Sequence, residues 1–238
     1  MTVEQPTPQR PHSRRTDRFV APHAFVMVDP GRPPDLSQWA PGSVEALIID
    51  VLTCAACHGL EAALTAAGTL LGVARECLDA QVWLRLHPAD RLVASGYLEV
   101  AARLAELVGQ ADGVVLPEVR SAADVGEVLA LLDPTAATAV MPVVDTDAPL
   151  TDIERLANHP GVVRLAAATR TGRVKLSLVS QVHGLAAPVN AVTANSTDAC
   201  DLIHDAVLAR CDGFGGQCVP SAELAADVRA LYRDRGRD

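Results

Sequence analysis

Eight times after Ala21 the chain passes from a short β-type run into a helix-type run, and this alternation limits the fold more than any other feature. The apolar, β-branched runs are His23–Val28, Val44–Val51, Ala80–Leu86, Gly113–Leu116, Thr138–Val144, Val162–Ala168, Ala187–Thr193 and a weaker one at Gly213–Val219. Several are apolar at successive positions, the pattern of strands buried on both faces of a parallel sheet. Between them, Leu60, Leu64, Ala67, Leu71, Ala74 and Leu78 recur at helical steps and form one apolar stripe. Tyr97, Ala101, Leu104 and Val108 repeat that spacing, and Ile203, Val207 and Arg210 do so over a shorter span. Pro220 suits the first turn of a last helix whose inner face is predicted to be Leu224, Val228 and Leu231. Strand–helix alternation at this spacing means parallel pairing through right-handed crossovers. Eight units in roughly 215 residues predict a small (β/α)8 TIM barrel, near the lower size limit of that fold. A doubly wound open sheet is the alternative, but no GxGxxG or GxxxxGK[ST] loop follows a strand to support it.

Composition removes several classes of protein. The formal net charge is −9, which argues against a nucleic-acid footprint. The longest mostly apolar run, Ala62 to Ala74, has 13 residues, short of the roughly 18 a membrane span needs. Residues 1–22 hold four arginines against Glu4 and Asp17, with four prolines and no apolar stretch. They read as a disordered, arm-like leader ahead of a barrel domain over 23–238, not as a secretory signal. Without them the body has 16 basic against 27 acidic residues. Six cysteines and no export signal predict reduced thiols and a cytoplasmic protein.

Two short features stand out. Cys54-Ala-Ala-Cys57-His58 matches a c-type haem motif and, read loosely, a redox or metal pair. Haem attachment needs an oxidising compartment, and Cys200, Cys211 and Cys218 offer no second tight pair for zinc. The expectation is structural thiols at the end of a strand. Lys175 is the only lysine; it falls past the sixth strand and reads as a helix-surface residue, because catalytic barrel residues sit at strand ends.

The strand ends themselves carry the candidate chemistry. Arg85 lies in Trp83-Leu84-Arg85-Leu86-His87-Pro88 on the third strand, placed to fork a carboxylate or a developing enolate oxygen. Asp50 ends the second strand, and Asp145 follows the fifth with Asp147 two residues on. Carboxylates emerging from apolar strands must be paired, hydrated or metal-bound, and Mg²⁺ suits oxygen ligands of this kind. The alternative use is ion pairing among themselves, such as Arg85 with Asp145 or Asp50.

Taken in order, five segments resemble the citrate lyase β-subunit-like (HpcH/HpaI aldolase) family of Mg²⁺-dependent C–C lyases. Val44–Leu52 is similar to the family strand ending in Asp-Leu-Glu-Asp, and Trp83–Pro88 to its Val-Arg-Val-Asn segment. Ala111-Asp112-Gly113-Val114-Val115-Leu116-Pro117 resembles the Ala-Asp-Gly-hydrophobic-Pro-Lys stretch and is the most specific match. Pro142–Thr146 parallels the strand ending in Glu-Thr, and Gly213-Phe214-Gly215-Gly216 with Val219-Pro220 the closing Gly-Phe-x-Gly-Lys…Ile-His-Pro.

The resemblance implies a TIM barrel in which Mg²⁺ and an arginine grip a small 2-oxo or 3-hydroxy acid, or its CoA thioester. Together they stabilise the enolate formed as a C–C bond breaks or forms. It carries Arg85 and Asp50 over as catalytic residues; the expected substrate-binding residues are Arg85 and Pro117 with two that depart from the family pattern, Arg170 in the place of a carboxylate and Glu118 in the place of a lysine. Asp145 stands in the place of the metal-binding glutamate. It also implies a trimer or hexamer. Several polar positions depart from the family. After the sixth strand Ala168-Thr169-Arg170-Thr171-Gly172 holds no carboxylate, the Asp-Leu-Glu-Asp segment reads Asp50-Val51-Leu52-Thr53, and Glu118, Gln217 and Val219 replace two lysines and a histidine. Three functions follow: a divergent lyase or aldolase using Mg²⁺ through Asp145 and Glu118 or Asp147; a metal-free organic-acid enzyme or binder using Arg85 and Arg170; and a non-catalytic structural or regulatory homologue.

Overall fold

In the computed structural model, residues 21–92, 100–132, 138–144, 149–191 and 198–233 are described. Eight strands close into one parallel barrel in chain order. They are β1 (Ala24–Val28), β2 (Ala46–Asp50), β3 (Gln81–Arg85), β4 (Gly113–Val119), β5 (Val140–Val144), β6 (Arg164–Ala167), β7 (Ala186–Asn190) and β8 (Gly216–Val219), with β8 returning to pair with β1. The helices outside them are α1 (Val51–His58), α2 (Leu60–Cys77), α3 (Ala89–Leu92), α4 (Ala101–Gln110), α5 (Ala122–Leu132), α6 (Leu150–Asn158), α7 (Arg173–Val182), α8 (Ala199–Cys211) and α9 (Ala222–Arg233). This is the (β/α)8 architecture that the alternation predicts. No described helix is long and apolar enough to cross a membrane.

Successive strand residues face opposite ways, so each strand feeds two cores. Phe25, Ile48, Trp83, Val115, Met141, Val143, Ala166 and Val189 fill the barrel. Val26, Leu47, Ile49, Leu84, Val114 and Leu116 face outward and pack with Leu64, Leu71, Leu104, Val125 and Leu156 of the helices. With aromatics only 3% of the chain, the lumen leans on few large groups. Phe25 meets Trp83 edge-on at 6.5 Å between ring centres. Beneath Phe25, at the N-terminal end, lies the buried guanidinium of Arg164, 5.3 Å from its ring centre.

The stretch at Ala111–Pro117 is explained by packing. The Asp112 carboxylate accepts from Val82 N–H at 2.8 Å and pairs with Arg75 at 2.9 Å, tying β3, β4 and α2 together. A Cβ at Gly113 would sit 2.5 Å from the Trp83 ring and 2.6 Å from the Ala139 carbonyl oxygen, so only glycine fits there.

Three expectations shift. Cys54 and Cys57 lie on α1, not at a strand end: Asp50 ends β2 and caps the helix directly. On α8 the buried residues are Leu202, Asp205, Ala206 and Ala209, while Val207 is 39% exposed, so the inner face is turned from the predicted stripe. An ion cluster on Asp205 fixes that rotation. On α9 the buried positions are Ala222, Ala225, Val228 and Tyr232, with Leu224 and Leu231 at the edge of the core. The small alanines let the helix lie close against the barrel. Residues 1–20 of the expected leader fall outside the described residues.

Candidate functional site at the C-terminal mouth of the barrel

Asp50 and Arg85 are register partners at the ends of β2 and β3. The strands deliver both side chains to the mouth, where barrel enzymes keep their chemistry. Asp50 has two tasks. Its carboxylate accepts from Thr53 N–H at 3.1 Å and Thr53 Oγ1 at 2.7 Å, capping α1. It also takes Arg85 Nη1 at 2.8 Å in a pair whose side chains are 7% and 25% exposed. Among the described residues the Arg85 Nε and Nη2 have no hydrogen-bond partner. The guanidinium is therefore held by one edge, with donors left to meet an anion.

His87, two residues beyond Arg85, is buried. Burial, then the positive charge of Arg91, lowers its pKa below 6.5; Asp50 opposes them, and Arg85 adds the smallest lowering effect. His159 is lowered by burial as well. Each ring is neutral in the fold, while the unfolded chain takes up protons once the pH falls below about 6.5. The stability tied to the neutral rings is thus present above that pH and is lost as the pH falls from about 6.5 towards the folded values. The melting temperature should decline over that interval, and His87→Gln should flatten the decline. Parallel curves for wild type and His87→Gln between pH 7.5 and 5.5 would assign the decline elsewhere.

On β4, Pro117 is buried and Glu118 exposed, at an irregularity in the pairing with β5 between Leu116 and Val119. Glu118 has φ 54°, the one non-glycine residue with positive φ among those described. That conformation costs on the order of 1 kcal/mol and is found at strained, functional backbone. Asp145 and Asp147 lie outside the described residues.

Arg170 is mostly exposed and places its Nε 2.8 Å from the Asp205 carboxylate. Arg85 and Arg170 thus hold different carboxylates. Asp205 is the centre of a buried cluster that sequence reasoning missed. It accepts from Arg173 Nη2 at 2.8 and 2.9 Å and from Asn190 Nδ2 at 2.7 Å, and Asn190 also donates to Gln217 Oε1 at 2.6 Å. An aspartate one turn from Leu202 and Ala209 on a helix face was the available signal. Gln217, at the position of the family's lysine, belongs to this cluster between β7, β8 and the outer helices.

The described residues do not assemble a Mg²⁺ ligand set. No group of three or more His, Cys, Asp or Glu among them is arranged to hold a metal ion. Asp50 is committed to Arg85 and Thr53. Where the family pattern has a second carboxylate, the chain has the cation Arg170.

No family model and no curated protein matches the sequence. Solved structures do match the fold. RipC from Yersinia pestis is 18% identical with a TM-score of 0.66, over 89% of this chain and 95% of that one. The citrate lyase β subunit complexed with oxaloacetate and magnesium from M. tuberculosis is 19% identical with a TM-score of 0.66, over 89% and 97%. The Haloferax volcanii malate synthase magnesium/glyoxylate complex is 10% identical with a TM-score of 0.70, over 90% and 76%. At these identities the likeness establishes a shared barrel fold.

Proposed function

We propose that the chain binds a small 2-oxo or 3-hydroxy acid, free or as its CoA thioester, at the C-terminal mouth and acts on it as a carbon–carbon lyase or aldolase. The observation that carries this reading is Arg85, anchored by Asp50 through Nη1 and, among the described residues, without a partner at Nε and Nη2. The fold of the citrate lyase β subunit and malate synthase supports it, since the structures of those proteins hold oxaloacetate or glyoxylate with magnesium. In such a reaction the electron pair of the breaking C–C bond comes to rest on an enolate oxygen. A preorganised cation at that oxygen lowers the barrier. Arg85 supplies the charge, and the Asp50 tether fixes its direction before substrate arrives, so little reorganisation is needed. Glu118 borders the same mouth and would favour a substrate with a donor group facing β4. Mg²⁺ enters this reading through Asp145 together with Glu118 or Asp147, and would supply a second positive charge at the enolate oxygen.

A second reading, an organic-acid site without metal, draws on Arg170 standing where the family pattern has a carboxylate. Oxalate, an enolate mimic, separates the two by calorimetry with and without Mg²⁺. Loss of the charge-assisted bonds in Arg85→Ala should weaken oxalate by roughly 10- to 100-fold. Binding that requires Mg²⁺ and disappears in Asp145→Asn supports the metal-assisted lyase. Binding unaffected by EDTA and abolished by Arg170→Ala supports the second reading. Oxalate that binds Arg85→Ala as well as wild type, or does not bind at all, overturns both.

A further inference from the structure

The irregularity on β4 gives Glu118 a direction that its place in an apolar run did not reveal. In the β4–β5 ladder Leu116 pairs with Pro142 and Val119 with Val144, so Pro117 and Glu118 together stand opposite the single residue Val143. Leu116, Val119 and Val144 pack in the outer core between strands and helices, whereas Val143 belongs to the core inside the barrel. Two residues set against one form a bulge, and bulges re-aim side chains. Strict alternation would have sent Glu118 outward with Leu116. The extra residue instead sets it between two outward-facing positions, on the lumen side. Pro117 is buried and Glu118 exposed, at the C-terminal end of the strand. The carboxylate therefore opens onto the mouth.

The backbone there does not call for a glutamate. Its φ of 54° favours glycine or asparagine, and among the described residues the Glu118 side chain caps no helix and enters no ion pair. Arg85, on the neighbouring strand, is the register partner of Val115, three residues before Glu118. The spacing of adjacent strands and the rise along one place the two Cα atoms within about 11 Å of each other. Arg85 already has its counter-ion in Asp50. The mouth thus presents an anchored cation on β3 and an uncommitted carboxylate on β4, with room for a small molecule between them.

The geometry points to a dipolar site: Arg85 takes the carboxylate or enolate oxygen of a small acid, and Glu118 takes an ammonium group carried by the same molecule. The substrate class narrows to amino-substituted 2-oxo or 3-hydroxy acids. This rests on the reading of the mouth as an organic-acid site, and it leaves Asp147 as the companion of Asp145 for Mg²⁺. An ammonium donates charge-assisted hydrogen bonds to a carboxylate. A longer diacid would set its second carboxylate against Glu118, and that like-charge contact selects against it. Glu118 is a specificity-determining residue in this arrangement, and Arg85 keeps the chemistry.

The test is calorimetry of the full chain, without added metal, with 4-amino-3-hydroxybutanoate and 3-hydroxybutanoate, which differ only in the amino group. Wild type should bind the amino compound roughly 10- to 100-fold more tightly, the worth of hydrogen bonding to a charged group. Glu118→Gln should erase that preference and leave the affinity for 3-hydroxybutanoate unchanged. Glu118→Asn, which suits the positive φ, should do the same and so assign the effect to charge and not to backbone. Arg85→Ala should weaken both acids together. Equal affinity of wild type for the two acids, or no binding of either, overturns the proposal, as does a preference that survives in Glu118→Gln. Oxalate separates this failure from that of the underlying reading. If Arg85→Ala weakens oxalate while the amino group adds nothing, the organic-acid site stands and the role of Glu118 falls. If oxalate does not bind while the amino preference is intact, the dipolar site stands and the lyase reading falls.

Discussion

Asp205→Ala should lower stability by about 3–5 kcal/mol, because it leaves buried positive charge without its counter-ion. For a chain of this size that corresponds to a fall in melting temperature of about 10 °C. Asp205 is fully buried, and Arg173, which pairs with it, is 2% exposed and has no other carboxylate partner among the described residues. Removing the carboxylate strands a guanidinium packed beside the Phe214 ring and takes an acceptor from Asn190. Arg170→Ala should cost under about 1 kcal/mol, since its side chain is 58% exposed and surface pairs are screened. Asp205→Asn should fall between the two, keeping the shape while removing the charge. Thermal unfolding of the three variants orders them. Equal melting temperatures for Asp205→Ala and wild type would mean that the cluster orients α7 and α8 without stabilising them.

That cluster also shows where sequence reasoning succeeds and where it stops. The strands were legible because their β-branched runs are short, nearly continuous and set at regular intervals, which periodicity alone can detect. Arg164–Ala167 and Gly216–Val219 fall within the runs expected there. Helix rotation was harder. On α8 the apolar stripe drawn through Ile203 and Val207 competes with one through Leu202, Ala206 and Ala209, and small alanines give the two faces little contrast. A buried ion pair between residues 32 positions apart decides it, and no local pattern encodes that pairing. The same holds for α1, where a strand-like run continues into a helix without a Gly or Pro break. Asp50 marks the boundary by capping, a role that became visible only once Thr53 was placed.

At the mouth, Arg85 and Asp50 were legible singly as charges at strand ends, and their register made them a pair. The Glu118 backbone was not legible, because a positive φ at a non-glycine residue is imposed by the β4–β5 irregularity and not by glutamate itself. Arg170 shows a different limit. A change of charge sign against a family pattern drew attention to it, while its partner Asp205 lay on a different helix.

Arg164 presents the opposite case at the closed end of the barrel. Its charge is buried with no carboxylate of the described residues in hydrogen-bond contact: Nε donates to the Ala187 carbonyl at 2.6 Å and Nη1 to the Pro22 carbonyl at 2.8 Å. Burial pulls its pKa down to about 10, so it remains a cation at neutral pH. It is tolerated because carbonyl dipoles and the Phe25 ring face it, and a void beneath Phe25 would otherwise open. Arg164→Ala should therefore cost about 3–5 kcal/mol, through the cavity under Phe25 and two carbonyls left dry. Arg164→Met keeps most of the volume and removes the charge-burial penalty, so its loss should be under about 2 kcal/mol. Denaturant unfolding of both variants measures the difference. An Arg164→Met protein as unstable as Arg164→Ala would show that the charge, not the volume, seals this end. Neither variant should alter oxalate affinity, because Arg164 faces the bottom of the barrel and Arg85 the top.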